Sequence, residues 1–306
     1  MDRRAPAAQP RAAALAATGE LRFATKRLTV AAALLALAGL AWIVAAQRMS
    51  GMDAGPWTDP GTLGFYLSTW ILMMTAMMLP PLTPAALRYA DLLRARRAPD
   101  RSARTDATAL FVAGYLALWG VSGLVGYAVL EGGRSLDGVL GWDRAGRWVA
   151  TGVLLVAAVY QLTPAKAACL SRCREARASG GARLGENRRG ALLRGAQHGT
   201  WCVGCCWALM AALFALGAMS LAWMAVVALL IAAERLLPWR RLTAIGVGAV
   251  LAALAIGLAA APTRVPMLTI PGSPAAAQMS MASPSPTATT RWLAAMTRSS
   301  ASGTGS

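Results

Sequence analysis

A single histidine, His198, serves the whole 306-residue chain. Acidic residues are also scarce, with 13 Asp and Glu against 30 Lys and Arg, and no two carboxylates pair inside the apolar stretches. General acid–base hydrolysis therefore has no candidate dyad. The sequence has no glycine-rich phosphate loop and no nucleophile elbow, which removes the ordinary phosphoryl-transfer and hydrolase chemistries. Charge as a whole is thin at 14% of residues, well below the roughly 25% of a soluble domain. A soluble fold is a poor account of so much uncharged chain.

Long apolar runs are abundant. Most are about 18 to 22 residues, the length a helix needs to cross a hydrocarbon core of ~30 Å. The chain reads as an all-α, polytopic transmembrane helical bundle of about seven spans, over 28–46, 63–83, 109–130, 148–166, 201–216, 219–234 and 242–261. Residues 1–27 read as a basic, disordered leader and 28–261 as the transmembrane domain. Residues 262–306, rich in Pro, Ser, Thr and Ala, read as a disordered tail. The run after the leader is long enough to span and reads as a retained first helix rather than a cleaved signal.

The formal net charge of +17 raises nucleic acid as a partner, yet no nucleic-acid motif accompanies it. The basic residues gather in alternate connections: the leader, the loop from Arg88 to Arg104, the loop from Arg172 to Arg194, and the turn with Arg235, Arg240 and Arg241. That alternation predicts a cytoplasmic N-terminus and an outer C-terminus. It also makes the lipid bilayer the partner of the positive charge.

This topology sorts the unusual side chains. Met77 and Met78 in "WILMMTAMMLPPLTP", Cys169 and Cys173 in "YQLTPAKAACLSRCR", and His198, Cys202, Cys205, Cys206 and Met210 in "HGTWCVGCCWALM" all fall near cytoplasmic helix ends. All five cysteines are in that group. His198, Cys202, Cys206 and Met210 follow a four-residue step, which keeps neighbours on one helix face with a drift of about 40° per step. Thiolate and thioether ligands select Cu(I), and thiolates with imidazole also suit Zn²⁺. These nine residues are the candidate metal ligands, with copper(I) favoured and zinc as the alternative. Cytoplasmic placement keeps the thiols reduced and argues for ligation over disulfides. Competing readings stand beside this one. Methionine and lone cysteine serve as packing groups in helices. Glu234 can snorkel or pair with Arg235 or Arg240, and Pro80, Pro81, Pro84 and Pro164 can end or kink helices. The scattered Met267, Met279, Met281 and Met296 read as composition.

At these motifs the chain resembles the bacterial family of predicted metal-binding integral membrane proteins, a domain of unknown function. The resemblance reaches from the second span through the sixth and rests on "AMMLP", "YQLTP" with its two following cysteines, "CVGCCWALM" and "GAMSLAWMA" with Glu234. Ala165 stands where the pattern has Leu. The resemblance implies metal binding in a bacterial cytoplasmic (inner) membrane and supplies no reaction. Three functions follow: metal handling with a donor or acceptor protein as partner, a membrane thiol–disulfide oxidoreductase using Cys202 and Cys205, or a non-catalytic assembly subunit.

Overall fold

The computed structural model describes residues 9–49, 61–95, 101–134, 145–174, 188–217 and 220–265. All but the first few residues of the Pro/Ser tail, with its four methionines, lie outside them, as do much of the basic loops. Among the described residues there are eight α-helices and no strand: α1 Gln9–Met49, α2 Leu63–Ala95, α3 Arg101–Arg134, α4 Arg147–Gln161, α5 Pro164–Arg174, α6 Arg188–Leu216, α7 Leu221–Leu236 and α8 Arg240–Ala260. The all-helical expectation therefore holds.

Five of these helices are long and apolar enough to cross a membrane, over 24–49, 63–93, 105–133, 188–216 and 241–260. Large apolar side chains face outward along them, Leu40, Val125 and Ile256 among them, a surface that water would not favour over such lengths. The remaining two expected spans differ from the seven-helix reading. The fourth is a bent pair, α4 and α5, angled by 66°. The sixth, α7, has 16 residues, a rise of about 24 Å against a core of ~30 Å.

Proline explains one departure and fails to explain another. At Pro164 the ring removes a helical N–H and pushes Thr163 away from the continuing α conformation. The chain closes α4 with Thr163 N donating to the Tyr160 carbonyl and starts α5 with Lys166 N donating to Thr163 Oγ1. Pro80, Pro81 and Pro84, by contrast, lie inside an unbroken α2 that continues to Ala95. Those prolines cannot donate to the carbonyls of Ala76, Met77 and Pro80. Met78, Leu79 and Leu82 around them are fully buried, so packing holds the helix through the lost bonds.

The tightest seam joins α3 to α6. A β-carbon on Gly114 would overlap the Leu192 carbonyl, and one on Gly195 would overlap the Phe111 carbonyl. Gly199 lies more loosely against the Leu118 side chain, 3.0 Å from where its β-carbon would stand. These glycines bring two backbones into direct contact, as small residues do between membrane helices. The seam also explains why α6 starts at Arg188 rather than near Trp201: the added turns carry Gly195 and Gly199 onto α3. Trp70 of α2 stacks on Phe214 of α6 at 5.5 Å, while its Nε1 donates to the Trp119 carbonyl of α3 at 2.7 Å. Tyr89 stacks on Phe111 at 4.7 Å. After α6, Gly217 adopts φ 120°, a backbone state that glycine alone adopts at no steric cost, and α7 returns against α6.

Candidate metal centre

Four of the five cysteines converge, and they come from two helices. Cys202, Cys205 and Cys206 lie within two turns of α6, and Cys173 sits in the last turn of α5. All four are buried, and all five cysteines are free thiols. Cys205 Sγ lies 3.9 Å from Cys173 Sγ and 3.5 Å from Cys206 Sγ. A metal held at the usual ~2.3 Å by thiolates sets sulfurs about 3.8 Å apart in a tetrahedron and about 4.0 Å apart in a triangle. The two edges bracket the tetrahedral value.

The centre of this group is cationic. One guanidinium nitrogen of Arg235, Nη2, donates toward Cys202 Sγ at 2.8 Å, Cys205 at 3.3 Å, Cys173 at 3.5 Å and Cys206 at 3.6 Å. A second group reaches the same cluster from α3: the Tyr115 hydroxyl lies 2.9 Å from Cys202 Sγ. Tyr115 is fully buried, so the sulfur is its answer to the requirement that a buried hydroxyl find a partner. Among the described residues no three Cys, His, Asp or Glu side chains stand ready as a closed metal cage. The thiols form an open set facing a positive charge.

The scaffold behind the cluster is polar and buried. Lys166, in the first turn of α5, meets Glu234 of α7 at 2.5 Å, each side chain only 2% exposed. Glu234 therefore pairs with Lys166 from across the bundle rather than snorkelling or turning to its neighbour Arg235. Arg174, at the end of α5, donates to the carbonyls of Glu234 and Leu237, and Arg88 of α2 donates to the Arg174 carbonyl at 2.9 Å. Each donor satisfies carbonyls that a helix end leaves without an intrahelical partner. The result fixes the end of α5, which carries Cys173, against the end of α7, which carries Arg235.

The other sequence candidates surround this cluster at differing removes. Cys169 is half-buried on α5, and its Sγ would lie 3.0 Å from a β-carbon at Gly204. The absence of that carbon gives the thiol its room. The Gly204 carbonyl accepts a hydrogen bond from Tyr160 at 2.6 Å, and Tyr160 packs edge-on against Trp207 at 4.9 Å. His198 sits one turn before Cys202, between the rings of Phe111 at 6.0 Å and Tyr115 at 5.9 Å, with a buried Nε2 that has no hydrogen-bond partner. Met210 is buried one turn beyond Cys206. Met77 and Met78 are buried on α2. The Trp70–Phe214 stack sets their depth: eight residues inward from each ring, about 12 Å, reaches Met78 on α2 and Cys206 on α6.

Sequence reasoning missed Arg235, Tyr115 and Lys166 as parts of the site. A signal existed for one of them. Lys26 and Lys166 are the only lysines among 30 basic residues, and Lys166 falls in a weakly charged stretch between two apolar runs. Arg235 resembled one more topogenic charge.

Comparison with known proteins gives one match. A family model described as PpoB2, a copper chaperone, matches residues 67–258, well over half of the chain and all of the site. No curated protein matches, and no solved structure matches.

Proposed function

The chain belongs to the PpoB2 copper chaperone family, and on that premise we propose that it is a membrane-embedded handler of Cu(I). The ion is cargo, held within the thiol cluster to which Cys173, Cys202, Cys205 and Cys206 belong. One observation carries this reading: four free thiols from two helices converge on one point, within hydrogen-bond reach of a single guanidinium. Converging sulfurs are the soft ligands that select Cu(I). Cys169, His198, Met210, Met77 and Met78 are outlying donors in this proposal, with Cys169 nearest the surface. Zn²⁺ is the weaker candidate because its structural sites require four closed ligands.

The bundle crosses the bacterial inner membrane with its N-terminus cytoplasmic, its C-terminus outside and the cluster toward the cytoplasmic face. The alternation of basic connections supports that orientation. The partner is a thiol-bearing protein that gives or takes Cu(I) by ligand exchange. Metal analysis of full-length protein purified without oxygen tests the proposal. Copper should accompany the wild type and be lost from the triple variant Cys202→Ser, Cys205→Ser, Cys206→Ser. Equal copper in both would sink it.

A further inference from the structure

Of the four clustered sulfurs, one is met by two side-chain donors from other helices. Cys202 Sγ is the nearest to Arg235 Nη2, at 2.8 Å against 3.3 Å for the next, and it alone is also met by a hydroxyl, Tyr115 at 2.9 Å. Arginine can only donate. A sulfur facing a guanidinium is therefore best used as an acceptor, and the tyrosine hydroxyl completes that role. Both donors sit on other helices, Tyr115 on α3 and Arg235 on α7, and both are fixed. Tyr115 is sealed in the α3–α6 seam beside Gly199. Arg235 follows Glu234, whose carboxylate is paired with Lys166 and whose carbonyl takes a bond from Arg174.

We propose that Arg235 and Tyr115 reserve Cys202 as a hydrogen-bond acceptor, leaving Cys173, Cys205 and Cys206 as a three-thiolate seat that selects monovalent copper over zinc. The proposal rests on the copper-handling reading above and assigns its specificity. Cu(I) is satisfied by few soft ligands, whereas structural zinc wants four. Withholding the fourth sulfur therefore penalises zinc more than copper. The fixed guanidinium charge acts in the same direction, because a dication feels its repulsion twice as strongly as a monocation. On loading, Cu(I) leaves the thiolates of a carrier. Three S–H bonds break and three S–Cu bonds form, the protons go to the released carrier thiolates and to solvent, and no electrons change hands. Cys202 takes no part and holds the guanidinium beside the seat.

The test uses the full chain in detergent, loaded without oxygen from Cu(I)–glutathione or from zinc sulfate and then challenged with a chelator. Cys202→Ser should retain copper within about threefold of wild type, while Cys173→Ser, Cys205→Ser and Cys206→Ser each lose about tenfold or more. X-ray absorption on the wild type should count three sulfurs around copper. Arg235→Met and Tyr115→Phe free the fourth sulfur, and should raise zinc retention relative to copper by about tenfold. A simple packing role for either residue would weaken both metals together. A Cys202→Ser protein that loses copper as severely as the other three overturns the proposal, as does a copper-to-zinc ratio unmoved by Arg235→Met. Should Arg235→Met fail to fold, the cysteine series decides. Wild-type protein that retains no copper at all refutes instead the metal-handling reading beneath it.

Discussion

Removing Lys166 alone should injure the protein far more than removing Lys166 and Glu234 together. Their charged atoms stand 2.5 Å apart, with each side chain 2% exposed. At that distance the attraction is about 6–7 kcal/mol at an effective dielectric near 20. Taking both ions out of water costs several kcal/mol each, so the intact pair contributes little net stability. A lone survivor has no such offset. Lys166→Met leaves Glu234 buried and unpaired at a cost of about 3–5 kcal/mol, which lowers the apparent Tm by about 6 to 20 °C for a chain of this size. Lys166→Met with Glu234→Leu removes both charges and should recover most of that loss. Differential scanning fluorimetry on the four proteins of the cycle reads the coupling directly. A single variant within about 2 °C of wild type, or a double variant whose loss equals the sum of the singles, would refute the argument.

Four other outcomes follow from local geometry. Gly195→Ala presses a β-carbon onto the Phe111 carbonyl, where only backbone can yield, and should cost at least the upper part of the usual 1–3 kcal/mol of overpacking. Gly152→Ala on α4, which meets open space, should instead gain about 0.5–1 kcal/mol of helix propensity in the same thermal assay. Tyr160→Phe deletes the hydrogen bond to the Gly204 carbonyl while keeping the ring on Trp207. The expected loss is about 0.5–1.5 kcal/mol, and a larger one would mean the ring contact had moved too. Under N-ethylmaleimide, peptide mapping should find Cys169 alkylated before the four buried thiols. Equal rates across all five would contradict their burial.

Much of this was legible in the residues. The apolar runs gave the helices because length and composition decide that question alone. The four-residue step from His198 to Met210 predicts a helix on which neighbours share a face, and α6 carries all four residues on one helix. Cys173 was singled out by spacing and does join the α6 thiols. What could not be read was which distant charges would meet. Glu234 had Arg235 as its neighbour in sequence, but on a helix adjacent residues point about 100° apart. The carboxylate therefore turned to Lys166 and the guanidinium to the sulfurs. Proline also carried an ambiguous signal. It broke the chain at Pro164, where the following segment packs in a new direction. It failed to break it at Pro80, Pro81 and Pro84, where buried neighbours hold α2 straight.

The elbow between α4 and α5 has a mechanical consequence. Cys173 rides at the far end of α5, ten residues beyond Thr163, on a lever of about 15 Å. Its sulfur stands 3.9 Å from Cys205 Sγ on α6, and a swing of about 5° at Thr163 carries the tip of that lever through about 1.3 Å. The three thiols of α6 are anchored to α3 backbone against backbone. A small rotation at that hinge therefore moves Cys173, together with the end of α7 that Arg174 ties to it, against thiols that stay in place.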